Sequence, residues 1–268
     1  MDLYHNFWSR RDPRTLGWGG IADARLVFPV LVGYVYFVKY AGPRWMKDRK
    51  PYELKSAILA YNALTVIANA CFVVRMVDLS FVSGEYSLLC QGINYYSPTA
   101  TDMAILNLVW WYCFVRVADF LDTVFFVLRK KYSQITHLHV IHHFLVVFSS
   151  WFYANFGSDG QTVLGACVNA SVHVVMYSYY FLAALGPSVR KYLWWKRYLT
   201  ELQITQFVVL LMHMAITLFH DCGYPRTLAL LALSQGFLGL GLFINFYVRS
   251  YLQLNRLNAN NGNDVKVK

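Results

Sequence analysis

Four histidines fall within seven residues in "HLHVIHH" (137–143), at the head of an apolar run. On a helix His139, His142 and His143 stand at i, i+3 and i+4 and share one face, while His137 points away from His139 and suits packing or an interface. Ionisable groups recur upstream in "WWYCFVRVADFLDTVFFVLRKK" (110–131). There Arg116 and Asp119 are three apart, Thr123 lies a further turn along, and Asp122 lies one turn from Asp119. Downstream, "NASVHVVMYSYY" places Asn169, His173, Tyr177 and Tyr180 on one stripe. "KRYLTELQITQF" then does the same for Lys196, Thr200 and Gln203, flanked by Gln206. His213 and His220 stand singly and read as hydrogen-bonded core residues more readily than as ligands.

Three chemistries use such residues. The H-x-x-H-H spacing of "HVIHH" occurs in the histidine boxes of membrane di-iron oxidases and desaturases, but those draw about eight imidazoles from several boxes and this chain has one box. Buried His, Asp and Arg also build proton-coupled transporters, though no inverted repeat or broken-helix pair is visible. The third chemistry is acyl transfer or condensation, with imidazole as nucleophile and base on a phosphate-bearing substrate.

The elements that must hold these residues are membrane spans. The chain of 268 residues is 57% apolar and only 14% charged, where a soluble domain carries about a quarter charged residues. Apolar stretches at roughly 24–42, 56–77, 104–127, 135–155, 161–185, 201–221 and 228–249 predict an all-α polytopic membrane protein with seven transmembrane helices. The N-terminal "MDLYHNFWSRRDPR" lacks the short apolar core of a cleavable signal.

A net charge of +10 might suggest nucleic acid, but its placement points to the membrane. Alternate loops and the tail hold sixteen Lys/Arg, against Arg226 alone on the other side, which predicts a lumenal N-terminus and a cytosolic C-terminus. The arginines at 10, 11 and 14 dissent mildly. Four spans with polar stripes must turn them toward one another or toward water. A polar chamber follows, near the cytosolic face, beneath a rim of Arg129, Lys130, Lys131, Lys191, Lys196 and Arg197 suited to a polyanion with phosphate groups. Orientation charges or contacts with anionic lipid account equally for part of that rim.

Five cysteines are present. Cys71, Cys113 and Cys167 lie inside predicted spans, where a thiol packs as a small hydrophobe. Cys90 and Cys222 both map to the lumenal side, which predicts a disulfide between them as against two separate free thiols. Residues 1–255 read as a single membrane domain and 256–268 as a disordered cytosolic tail, in which Lys266 hints weakly at an endoplasmic-reticulum retrieval signal. "GFLGLGLF" (236–243) predicts close helix packing, within the chain or in a homodimer.

Four blocks, "RVADFLDTVFFVLRKK", "QITHLHVIHH", "NASVHVVMYSYY" and "YLTELQITQF", resemble in order and spacing the signature blocks of the elongases of very-long-chain fatty acids, the endoplasmic-reticulum 3-ketoacyl-CoA synthases. The resemblance covers about 25–250. Arg116 and Asp119 stand where that family usually has Lys and Glu, Ala170 replaces a usual serine, and His137 replaces a usual apolar residue.

The resemblance implies seven helices, six of them enclosing a narrow tunnel open to the cytosol, in a multi-pass protein of the endoplasmic-reticulum membrane. It implies condensation of a long-chain acyl-CoA with malonyl-CoA to a 3-ketoacyl-CoA two carbons longer. It implies that no cofactor or metal is bound, NADPH serving later enzymes of the cycle. Expected partners are those two substrates, membrane lipid, and the reductases and dehydratase of the cycle, without nucleic acid. His142 is the expected nucleophile, with His173 positioning the reacting groups, His139 and His143 as hydrogen-bonded supports, and Asp122 orienting an imidazole. A rival role for the histidine cluster is general base in malonyl decarboxylation, with no covalent intermediate. Asn169, Gln203 and Gln206 are expected donors to the thioester or enolate oxygen, and Tyr177 and Tyr180 further wall residues. Arg116, Arg129, Lys131, Gln134, Lys196, Thr200 and Arg256 are expected to hold the CoA phosphates and pantetheine.

Overall fold

A computed structural model describes residues 7–253, and those residues contain helices but no strand. Seven long helices follow in chain order: α1 (Ala24–Met46), α2 (Lys55–Val82), α3 (Ala100–Leu128), α4 (His137–Phe156), α5 (Thr162–Leu185), α6 (Lys196–Phe219) and α7 (Arg226–Gln253). All but α4 are long and apolar enough to cross a membrane, so six candidate spans stand where the sequence predicts seven. The shortfall has a local cause: α4 opens on its histidines and carries Ser149, Ser150 and Asn155 further on, and these lower its mean hydropathy. Arg256 and the rest of the C-terminal tail lie outside the described residues.

Packing sets six of these helices in a ring. α2 lies against α3, α3 against α4, α4 against α7, α7 against α6, α6 against α5, and α5 closes the circuit on α2. α1 stands outside, held on α4 and α3 by Val27, Leu31, Tyr34 and Val38 in a core that includes Cys113, Phe120, Val147 and Trp151. The outer faces are apolar in turn, with Val32, Leu64, Val74, Trp111, Met212 and Phe237 exposed, as a lipid solvent requires. Cys71 belongs to that outer surface; Cys113 and Cys167 are buried as expected, but Cys71 is not, because its position on α2 faces away from α5 and α3. The glycine stripe has an intramolecular use. A Cβ on Gly236 would sit 2.7 Å from Leu211 and one on Gly239 2.5 Å from Phe207, so both glycines let α7 approach α6, while Gly241 meets nothing within 4 Å.

Local chemistry fixes where the helices begin and end. Thr136 caps α4 by accepting from the His139 amide at 3.2 Å, and Thr99 with Asp102 forms a reciprocal capping box on α3. α4 ends at Gly157, whose φ of 134° is closed to most side chains. Beyond it, Cys90 and Cys222 are joined in a disulfide with Cα atoms 5.8 Å apart, tying the α2–α3 loop to the end of α6. The N-terminal segment packs at the same end. Arg14 is buried between Asp12 and Asp159 at 2.7 Å from each, so one of the three dissenting arginines is neutralised by two carboxylates instead of marking a membrane side.

Candidate active site

The helix α3 is interrupted at Asp119, between stretches Ala100–Ala118 and Phe120–Leu128. Around this break lies a buried polar network. Arg116 pairs with Asp119 at 3.2 Å, both 3% exposed at the side chain. Its Nη2 donates to Asn69 Oδ1 at 3.0 Å, and its Nη1 lies 3.0 Å from His173 Nδ1 and 3.2 Å from Nε2. The guanidinium plane also sits 4.6 Å from the Tyr112 ring, whose hydroxyl donates to the same Asn69 oxygen at 2.7 Å. A guanidinium has no acceptor, so it can meet the imidazole only as a donor to a ring lone pair. One buried donor, Arg116 Nε, has no protein partner.

Asp122 does not orient a histidine, as the sequence suggested. It accepts from Tyr177 Oη at 2.6 Å, Tyr177 also reaches Asp119 at 3.2 Å, and Tyr61 Oη lies 3.3 Å from Tyr177 Oη. The cause is helical phase: Asp122 and Asp119 both turn toward α5 at the level of Tyr177. Thr123, on another face, meets the histidines instead; its hydroxyl lies 2.8 Å from His139 Nε2 and 3.0 Å from Tyr34 Oη. His143 packs between the rings of His139, at 4.3 Å, and His142, at 5.7 Å. His142 is left facing a cavity, with Phe243 edge-on at 5.9 Å. Among the described residues no three His, Cys, Asp or Glu side chains are grouped as a metal ion requires.

That cavity, about 340 Å³, runs inside the ring and takes lining from each of its six helices. Arg116, His142, Asn169 and Gln206 converge at one end from four different helices. Val146, Leu210 and Leu211 make the middle apolar, and Tyr153, Ser158, Gln161 and His213 lie at the far end. His213 is hydrogen-bonded, its Nε2 3.1 Å from Gln161 Nε2 and 3.0 Å from Leu88 O, as expected for a lone histidine.

The remaining residues divide by depth. Gln203 donates to Met176 Sδ at 3.5 Å and does not line the cavity. Tyr180 packs edge-on to Tyr177. Lys131, Gln134 and Lys196 are exposed at the end of the bundle where α4 begins, Arg129 is half-buried there, and Thr200 is buried a turn below Lys196. Arg197 is engaged by Glu201 at 2.8 Å and by Tyr247. Arg116 does not belong with that rim: it is buried in the chamber, about 20 Å along α3 from Arg129 at 1.5 Å per residue, too far for a phosphate held at the surface. Sequence reasoning passed over Tyr61, Asn69 and Tyr112. A signal for α2 was available, since Asn62, Thr65 and Asn69 recur at helical spacing inside an otherwise apolar span and all three are buried.

The GNS1/SUR4 (ELO) family model matches residues 21–259. Among curated proteins the chain is 39% identical over 253 residues to very long chain fatty acid elongase 4 of Homo sapiens, covering 94% of this chain and 79% of that protein. It is 40% identical over 266 residues to very long chain fatty acid elongase 7 of Rattus norvegicus, covering 97% and 94%. An elongase of Aedes aegypti is 37% identical over 260 residues, covering 97% and 72%. With a family match across nearly its whole length and full-span relatives of that identity, the chain belongs to the GNS1/SUR4 (ELO) family.

Proposed function

We infer that the chain is a fatty acid elongase, an acyltransferase that condenses a fatty acyl-CoA with malonyl-CoA to a 3-ketoacyl-CoA two carbons longer, releasing carbon dioxide and CoA. Family membership carries the reaction class, and one observation carries its location: a single histidine of the cluster, His142, faces a cavity that is polar at its own end and apolar through its middle.

The chemistry follows from that placement. An unprotonated His142 nitrogen attacks the thioester carbon, forming an acyl-imidazole as the C–S bond breaks and CoA leaves as the thiol. Malonyl-CoA then loses carbon dioxide, and its enolate carbon attacks the acyl carbon, forming the new C–C bond as the C–N bond breaks and the imidazole leaves, taking up one proton from solvent. Both steps place negative charge on an oxygen. Arg116 and the amides of Asn169 and Gln206, which line the cavity with His142, are the proposed donors to it; a donor of this kind is worth about 2.7–4 kcal/mol where one has been removed. His173 is held by Arg116, and His139 by Thr123, so these imidazoles position the site while His142 reacts. The acyl chain occupies the apolar length of the cavity. Arg129, Lys131, Gln134 and Lys196, with Thr200 beneath, hold the CoA phosphates and pantetheine, and the reaction needs no bound cofactor.

Seven crossings fit this arrangement better than six. The 20 residues of α4 span about 30 Å, the thickness of a hydrocarbon core. The helix runs from Thr123 near the end of α3, through His139, to Ala22 before α1, where Asn155 donates to the Ala22 carbonyl at 3.0 Å. With α4 crossing, every Lys/Arg-rich connection falls on one side, so the C-terminus is cytosolic and the N-terminus lumenal. The disulfide then lies in an oxidising lumen, consistent with the endoplasmic-reticulum membrane.

The test uses purified protein in detergent, a panel of acyl-CoAs and labelled malonyl-CoA. Wild type should yield 3-ketoacyl-CoA, and His142→Ala should lose at least about 10³-fold in turnover, as loss of a nucleophile does elsewhere. With acyl-CoA alone, intact-mass spectrometry should find one acyl adduct on wild type and none on the variant. Product without a trapped adduct would favour the general-base route for the histidine cluster.

A further inference from the structure

The far end of the acyl cavity is polar, which a plain methyl-ended chain does not require. The Ser158 side chain is 6% exposed, lines the cavity, and its hydroxyl has no hydrogen-bond partner. Tyr153 lines the same end, and its hydroxyl is likewise buried without a partner. The polar groups beside them in the cavity lining are satisfied, whereas Tyr224, in one packed cluster with Tyr153 but outside the lining, has an unpaired buried hydroxyl of its own. Gln161 Nε2 donates to the Leu89 and His213 carbonyls at 3.0 Å each, its Oε1 accepts from the Gln91 amide at 2.8 Å, and Thr162 Oγ1 donates to Asp159 O at 2.9 Å. Two orphaned hydroxyls at the floor of an otherwise apolar passage are costly unless something occupying the passage bonds to them.

We propose that Tyr153 and Ser158 form a subsite for a hydrogen-bonding group at the far end of the acyl chain, so that the enzyme accepts acyl-CoAs bearing a terminal hydroxyl. This rests on the reading of the cavity as the acyl passage. A hydroxyl fits because it donates and accepts, as do both protein groups. A carboxylate does not fit, because no cation lines this end of the cavity among the described residues. Tyr153 lies three turns along α4 from His142, about 16 Å. An extended chain with bonds of about 1.5 Å and near-tetrahedral angles advances about 1.25 Å per carbon, so the terminal group arrives after roughly 13 carbons.

The experiment compares kcat/KM for matched pairs of acyl-CoAs, methyl-ended and terminally hydroxylated, from 10 to 20 carbons as a design range, with the methyl-ended member as each enzyme's own reference. In wild type the hydroxyl-to-methyl ratio should rise by about tenfold, the worth of one good hydrogen bond, once the chain reaches roughly 13 carbons. Tyr153→Phe and Ser158→Ala should each flatten that rise. A wild-type ratio that stays below one at every length, or a rise that survives both substitutions, overturns the subsite. If methyl-ended chains are not elongated by wild type at any length, the elongase reading itself fails and the subsite with it. Should either variant fail to accumulate, the length dependence in wild type alone decides.

Discussion

At the residue scale, the unexpected member of the site is Asn69. Its one side-chain oxygen accepts from both Arg116 Nη2 and Tyr112 Oη, and its amide nitrogen is anchored to Thr65 O at 2.7 Å. Nothing else on α2 orients Arg116, and Arg116 in turn faces His173. Replacing Asn69 by Leu keeps the volume but leaves a buried guanidinium donor and a phenol unpaired. Loss of a hydrogen bond to a charged group costs about 1.5–3 kcal/mol, so Asn69→Leu should lower kcat roughly 10–100-fold while CoA affinity, which the proposed mechanism assigns to the rim, changes little. Equal losses in kcat and in CoA binding would assign Asn69 a merely structural part. The same residue marks how far sequence carries. The histidines and the Arg116–Asp119 pair announce themselves because charge inside a span is conspicuous. An asparagine is quieter, and which tyrosine meets Asp122 depends on the relative rotation of α3 and α5, which no periodicity within one helix encodes. Arg116 could be placed in depth as well, since thirteen residues of helix separate it from Arg129, and its assignment to the phosphate-holding rim overlooked that spacing.

At the element scale, helix number and limits were readable because a bilayer enforces long apolar runs, and the one ambiguous helix, α4, is ambiguous because it carries the histidine cluster. Helix order around the ring was not readable, since the contacts that close it, α5 on α2 and α4 on α7, join segments far apart in sequence. The α6–α7 contact offers a controlled comparison. An alanine Cβ at 239 would sit 2.5 Å and 2.7 Å from two carbons of the Phe207 ring, and Phe207 lines the cavity. Gly239→Ala must therefore push the ring or part the helices, at about 1–3 kcal/mol. Gly241→Ala adds a methyl where nothing lies within 4 Å and gains up to about 1 kcal/mol of helix propensity. Thermal melts in detergent should show a fall for Gly239→Ala and no fall for Gly241→Ala. If both are neutral, the glycines do not set the helix spacing in this monomer.

Across the whole molecule, the two ends of the bundle do different work. At one end lie exposed basic residues and the histidines; at the other, the Cys90–Cys222 disulfide, the buried Arg14 pairs and the Gln161 contacts close over the cavity floor. The disulfide spans a sequence separation of 132, so a chain-entropy account gives an upper value of about 4–5 kcal/mol for its loss. Cys90→Ser should accordingly melt well below wild type. On the proposed function, the passage between the ends sets which acyl chains the molecule accepts. Ser149 lines the cavity two turns along α4 from His142 and donates to Gln235 on the neighbouring helix α7 at 2.8 Å. It therefore marks a point in the cavity where α4 and α7 are within one hydrogen bond of each other. A phenylalanine there would fill the passage about 6 Å short of Tyr153, so Ser149→Phe should shorten the longest acyl chain accepted by about five carbons. Mass spectrometry of products across a graded series of acyl-CoAs reads this directly. A uniform fall in turnover at all lengths would mean that the substitution disturbs His142 instead, and an unchanged length limit would mean that the chain does not run along this cavity. The shift is expected at the long end alone, because the reacting carbon stays at His142 whatever closes the passage behind it.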